Sequence, residues 1–270
     1  MNRPHPQRIA NPGDPRIDAY RNVKERDLTG RLGRFVAEGR VVLNVLVEHA
    51  PLTIESLLVL ENRMQGIGGL LEKLPAAVPV YVAAQPVMDA IAGFHLHRGV
   101  LAIARQPTPP DFVSFAASMG DDALALVLAG ISNHDNMGAI FRNAAVFDAD
   151  AVFLDQTCCD PFYRKAIRVS VGAVLKVPHI RAGPIDEILD SMTAAGFSLF
   201  AMSPRGSMPV GALPKTGKRA LVLGTEGEGL PESILARLQT CKIPMSAGFD
   251  SLNAATASGL ALFHASRFSM

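Results

Sequence analysis

Between residues 123 and 245, six short runs are apolar almost throughout: "ALALVLAG", "AVFLD", "VPHI", "SLFAMS", "RALVLGTE" and "CKIPM". A strand with one wet face alternates apolar and polar residues, whereas a strand covered on both faces does not need to. Between most of these runs stand segments of helical composition, "NMGAIFRNAAVF", "PFYRKAIRVSVGAVL", "IDEILDSMTAAG" and "PESILARL". Together they predict an α/β domain with a mostly parallel sheet and helices on both faces. Ligands of such sheets sit beyond the carboxyl ends of the strands. The polar stretches after "VLAG", "VLG" and "IPM" occupy that position.

A smaller alternation precedes it. "RFVAEG", "SLLVLEN", "VPVYVAA" and "GVLAIARQ" read as strands, with helices over "RVVLNVLVEHA", "IGGLLEKL" and "QPVMDAIAGF". Three prolines in "RQPTPPDF" mark a linker. The expected organisation is a flexible tail over 1–20, a small α/β domain over 21–105, a linker over 106–113 and the larger domain over 114–270. With 49% hydrophobic and 19% charged residues the chain is globular. No apolar run is long enough to span a bilayer, and the N-terminal residues lack the apolar core of a secretory signal. Three cysteines with no CxxC argue against a disulfide framework or a zinc site and fit a reducing cytoplasm.

Charge is unevenly placed. Residues 1–40 hold nine Arg and Lys (Arg3, Arg8, Arg16, Arg21, Lys24, Arg26, Arg31, Arg34 and Arg40) against five acids, a local +4 in a chain of net charge +1. Such an arm attracts phosphate, or is simply a solvated face.

Three stretches offer chemistry. In "SNHDNMGAIFRNAAVF" (132–147), Asp135 or Asn136 can cap a helix on which Arg142 shares a stripe with Gly138, Ala145 and Val146. This small-residue stripe is expected to face the sheet, where a permanently charged guanidinium needs an anionic or polar partner, either a nearby acid or a ligand. In "LVLGTEGEGLPESI" (221–234), Gly224, Gly227 and Gly229 form a loop after a buried strand. Their GxxGxG spacing differs from the dinucleotide fingerprint and speaks against a nicotinamide-dependent oxidoreductase. "TGKR" (216–219) lacks the first glycine and the Ser/Thr of a phosphate loop. Glu226, between glycines, faces either a ligand or solvent. In "IPMSAGFDSLNAATASGLALF" (243–263), Ile243, Pro244 and Met245 precede a polar loop longer than capping by Asp250 or Ser251 requires. This mixture of apolar slot and backbone polar groups suits a flat heteroaromatic ligand, with Ser251 and Asn253 at the helix entry.

Taken in order, "NxGxxxRxA" (136–144), "RVSVGAVLKVP" (168–178), "LVLGTEGEGLP" (221–231) and "IPMxxGxxSLN" (243–253) resemble the motifs of the SpoU (TrmH) family. These are S-adenosylmethionine-dependent RNA ribose 2′-O-methyltransferases of the SPOUT class. The resemblance spans residues 123–266, and 33–104 resembles the ribosomal-protein-like substrate-binding domain that often precedes them. Two departures are mild: Ala247 where glycine is common, and "NAATA" in place of Asn-Val-Ser-Val-Ala.

The resemblance implies a C-terminal trefoil knot, S-adenosylmethionine as cofactor, and cofactor contacts at Gly224, Gly229, Ile243, Met245 and Leu252. It implies an rRNA or tRNA substrate, no metal, and a homodimer with the C-terminal helix in its interface. Arg142 takes the central catalytic role, with Asn136, Glu226, Ser251 and Asn253 orienting it, the substrate and the cofactor. A catalytically silent RNA-binding assembly factor would share the fold; losing Arg142 or Asn136 would mark it, and both are present.

Overall fold

The computed structural model describes residues 4–21, 25–92, 99–246, 248 and 251–268. Backbone contacts divide the chain into two units, Met1–Pro107 with Phe162–Lys176, and Thr108–Pro161 with Val177–Met270.

The first unit is built on a five-stranded sheet ordered β1-β4-β3-β5-β2. Its strands are β1 (Pro6–Ile9), β2 (Arg34–Glu38), β3 (Ile54–Leu60), β4 (Val80–Ala83) and β5 (Val100–Arg105), joined by α1 (Glu25–Leu32), α2 (Arg40–His49), α3 (Gly68–Lys73) and α4 (Gln85–Ala92). β1, β4 and β3 run parallel, and β5 is antiparallel to both β3 and β2.

The expected flexible tail is corrected here. β1 pairs along β4, and Ile9, Ile17 and Tyr20 are buried. The Tyr20 hydroxyl shares a 2.8 Å hydrogen bond with that of Ser56. An edge strand tolerates proline, so the Pro-rich composition of this segment does not prevent pairing. Much of the basic surplus is matched: Arg8, Arg16, Arg21 and Arg34 form ion pairs with Glu61, Asp14, Asp18 and Glu55. Arg3, Lys24 and the Arg26 side chain lie outside the described residues, as do Ala247 and Asp250.

The helix expected over 161–175 is shorter, and it belongs to the first unit. α7 (Arg164–Val169) is followed by Val171 and Gly172 in the left-handed region and a single 3-10 turn. Phe162 stacks on Phe35 of β2 at 5.0 Å, and a β-carbon on Gly172 would stand 3.1 Å from Val45 of α2. Burial of an aromatic ring by a distant strand sets this boundary.

The second unit carries seven parallel strands in the order β10-β12-β9-β11-β6-β7-β8. They are β6 (Leu124–Leu128), β7 (Ala151–Asp155), β8 (His179–Gly183), β9 (Ser198–Met202), β10 (Met208–Pro209), β11 (Arg219–Leu223) and β12 (Gln239–Lys242). Every residue of β6, β7 and β11 is buried, as expected of strands covered on both faces, including the charged Asp155 at the end of β7 and Arg219 at the start of β11. α5 (Phe112–Ser118), capped by Asp111, and α8 (Ile185–Ala194) supply one apolar layer, in which Phe112 meets Phe153 edge-on at 5.1 Å. α6 (His134–Val146) packs against α10 (Ala254–Ala265), which also meets β11; α9 (Glu232–Leu235) spans only part of the expected 231–238. β12 ends at Lys242, so Ile243, Pro244 and Met245 lie in the loop beyond it rather than in a strand, where proline would break the ladder. Among the described residues no helix is long and apolar enough to cross a membrane.

Candidate active site

α10 begins at Asn253, whose Oδ1 accepts hydrogen bonds from the backbone N–H groups of Ala255 (2.9 Å) and Thr256 (3.2 Å). Two backbone donors on the oxygen fix the amide's orientation, so Nδ2 is the end left to donate. It donates to Asn136 Oδ1 at 2.8 Å and to Glu226 Oε1 at 2.7 Å. With its own oxygen accepting, Asn136 turns Nδ2 to the same Glu226 oxygen. One helix cap thus determines every amide orientation in the cluster. Asn253 takes the capping role expected of Asp250 or Ser251. At the start of α6 the cap is Asn133, which accepts from the Asp135 N–H, rather than Asp135 or Asn136. Asn136, freed from capping and 6% exposed, sits in the network instead.

Glu226 is presented by the turn after β11. Gly227 and Gly229 adopt positive φ, and Thr225 pairs with Gly229 through a backbone bridge and a 3.2 Å bond from its hydroxyl to the Gly229 carbonyl. A β-carbon on Gly224 would stand 2.5 Å from both the Gly229 oxygen and the Leu230 nitrogen. Gly224 is required because the turn folds back onto it.

This turn forms one wall of a cavity of about 880 Å³. The others come from Lys242–Met245, from Ser251–Ala254, and from Met202–Arg205 after β9. Gly224, Gly229, Ile243, Met245 and Leu252, the expected cofactor contacts, all line it, with Glu226, Ser251 and Asn253. Ser251 joins no hydrogen bond among the described residues. The Met202–Arg205 wall was not expected, although its place past the carboxyl end of a parallel strand is a usable signal. It approaches β12 so closely that a β-carbon on Gly206 would stand 2.5 Å from the Cys241 carbonyl carbon.

Arg142 is placed differently from the expectation of a buried stripe. α6 turns Met137, Ile140, Phe141 and Ala144 inward, and Arg142, 100° past Phe141, is exposed. It has no ion pair or hydrogen bond among the described residues and does not line the cavity. Its stripe runs from buried Gly138 to exposed Val146, so no internal partner is needed.

The cavity's size falls in the range of small-molecule sites, roughly 300–1,000 Å³. Ile243, Met245 and Leu252 give partly exposed apolar surface for a flat ring, beside backbone groups of the Gly224–Leu230 turn. The three cysteines are unpaired, and burial raises the thiols, Cys158 to about 12. Among the described residues no group of three or more His, Cys, Asp and Glu could hold a metal ion.

A parallel α/β sheet with a ligand cavity past β9, β11 and β12, edged by a polar network from three distant segments, defines a class of small-molecule-binding domain. Residues 123–263 match the model of the SpoU rRNA Methylase family. The chain is 37% identical to an uncharacterised tRNA/rRNA methyltransferase of Mycobacterium bovis, over 97% of this chain and 92% of the other. In structure it is similar to an AdoMet-bound rRNA methyltransferase from Sinorhizobium meliloti (TM-score 0.81, 21% identity, 96% and 97% of the two chains). It is also similar to an RNA 2′-O ribose methyltransferase (TM-score 0.75, 26% identity, 96% and 98%). The chain belongs to the SpoU family and is an RNA methyltransferase.

Proposed function

We propose that the protein methylates a ribose 2′-hydroxyl of a structured rRNA or tRNA. The observation that carries this reading is the Asn136–Glu226–Asn253 network at the rim of a cavity shaped for a nucleoside-sized cofactor. The cofactor is S-adenosylmethionine, which when bound supplies an electrophilic sulfonium methyl. Gly224, Gly229, Ile243, Met245 and Leu252 hold it, backbone groups taking its polar edge and the apolar side chains its ring.

A ribose hydroxyl is a weak nucleophile, so the protein must align it and stabilise the charge that develops. Arg142, exposed and without an ion pair or hydrogen bond among the described residues, meets the RNA phosphate beside the reacting ribose and polarises its hydroxyl. Its guanidinium stays protonated at neutral pH and does not act as a literal base. Asn136, Glu226, Ser251 and Asn253 orient the substrate from the cavity side.

The protein works as a homodimer through α10. This helix is rich in small and apolar residues and leaves the large side chains Leu260 and Phe263 39% and 43% exposed. The trefoil knot is part of the proposal: the chain leaves the sheet at β12 and returns against α6 and β11. The first unit captures RNA, because exposed ion pairs of its arginines are worth only about 0–1 kcal/mol and exchange readily for phosphate. Calorimetry should show binding of S-adenosylmethionine and not NAD. Mapping of 2′-O-methyl sites in total RNA with and without the gene should reveal a lost site. Preferential NAD binding, or unchanged maps, would refute the reading.

A further inference from the structure

We propose that Asp155 is a positioning residue for methyl transfer, holding the loop that sets Asn136 against Glu226; this rests on the RNA methyltransferase reading above. Asp155 ends β7, is 6% exposed and does not line the cavity. The pairing of β7 with β6 and β8 uses only backbone groups, so the ladder does not need a carboxylate there. Burying one is costly unless donors surround it. Asp155 Oδ1 accepts from the N–H groups of Gly130 (3.1 Å), Thr157 (3.0 Å) and Cys158 (2.9 Å), and the Thr157 hydroxyl straddles the carboxylate, 2.9 Å from Oδ1 and 2.8 Å from Oδ2.

The loop so tied is also held from its carbonyl side. Arg181 of β8 donates Nη1 to the carbonyls of Cys158 (2.8 Å) and Gln156 (3.2 Å), and Nη2 to that of Cys159 (3.2 Å). The rigid loop then grips the segment after β6: the Cys159 N–H reaches the Ile131 carbonyl at 2.8 Å, and the Cys158 thiol reaches that of Leu128 at 3.3 Å. Gly130, in the middle of that segment, has φ of +69°, and a β-carbon on it would stand 2.5 Å from Thr225 Cγ2. Thr225 precedes Glu226, and the gripped segment leads directly into α6 and Asn136. Asp155 therefore reaches both partners of the network through Gly130, without touching either.

Only Oδ1 must accept from the backbone, while Oδ2 faces a hydroxyl that can reverse its bond. Asp155→Asn keeps the acceptor and can donate to Thr157 instead; Asp155→Ala loses everything. The test uses the full chain, labelled S-adenosylmethionine and total RNA from cells lacking the gene. Asp155→Ala should transfer methyl at least about tenfold more slowly per folded molecule, with cofactor affinity within about threefold of wild type. Asp155→Asn should recover to within about threefold. Exchange of the Asn136 and Asn253 side-chain amide protons, read by NMR without RNA, should be faster in the Ala variant and near wild type in the Asn variant. If the Ala variant fails to fold, Thr157→Val, which removes the hydroxyl bond alone, should show smaller changes in the same directions. Unchanged amide exchange, or an Asn variant as impaired as the Ala variant, would overturn the proposal. Absence of transfer by the wild-type protein would instead count against the methyltransferase reading, leaving amide exchange to decide the role of Asp155.

Discussion

Asn253 donates its Nδ2 to Asn136 Oδ1 at 2.8 Å while its own Oδ1 caps α10, so one side chain joins the start of the last helix to the polar edge of the cavity. The two tasks separate by mutation. Asn253→Asp keeps the cap, because Asp caps as well as Asn, but sets a second carboxylate against Glu226 and the Asn136 carbonyl. Methyl transfer should fall about 10²-fold while the melting temperature stays within a few degrees. Asn253→Ala should lose the cap as well, at about 1 kcal/mol. Single-turnover assays beside thermal melts check both. Wild-type transfer by the Asp variant would show that the network does not orient the reaction.

Gly224→Ala should abolish measurable cofactor binding and lower the melting temperature. The added carbon meets the backbone of Gly229 and Leu230, which cannot yield as a side-chain tip can. Isothermal calorimetry with S-adenosylhomocysteine is the check, and unchanged affinity in a folded variant would remove Gly224 from the site.

Arg142→Ala deletes an exposed side chain, so fold and cofactor affinity should stay near wild type. Transfer should drop by at least roughly 10²-fold, as expected for loss of a charge-stabilising group. A variant that loses melting temperature, with its folded fraction fully active, would make Arg142 structural only.

His179, half-buried, packs edge-on against Phe141 at 5.1 Å, and desolvation holds its imidazole below the ordinary range. The unfolded chain therefore binds a proton that the folded chain resists. Stability from this group is present above the unfolded pKa of about 6.5 and is lost as pH falls through it. Chemical denaturation between pH 8 and 5 should show stability falling on the acid side, with a shallower fall in His179→Phe. Parallel curves for the two proteins would contradict the assignment.

The α/β architecture was legible because strands covered on both faces cannot hide their composition: β6, β7 and β11 read directly as apolar runs. Three of the cavity's walls were legible from the glycines, the proline and the amides of two motifs, whereas the Met202–Arg205 wall was not. What escaped depends on contacts far apart in sequence. β1 is anchored by pairing with β4, and 162–176 by the Phe162–Phe35 stack. The bond between Asn253 and Asn136 closes over 117 positions, and nothing local to either residue announces it. The expected burial of Arg142 failed for a different reason: a stripe of small residues on one helix does not reveal which side of that helix the sheet covers.

The most direct measurement is nucleoside mass spectrometry of RNA from gene-deleted cells after incubation with the protein and methyl-labelled S-adenosylmethionine. The account predicts label in one 2′-O-methylnucleoside, present with wild-type protein and nearly absent with Arg142→Ala. Label on a base, or transfer indifferent to Arg142, would contradict it.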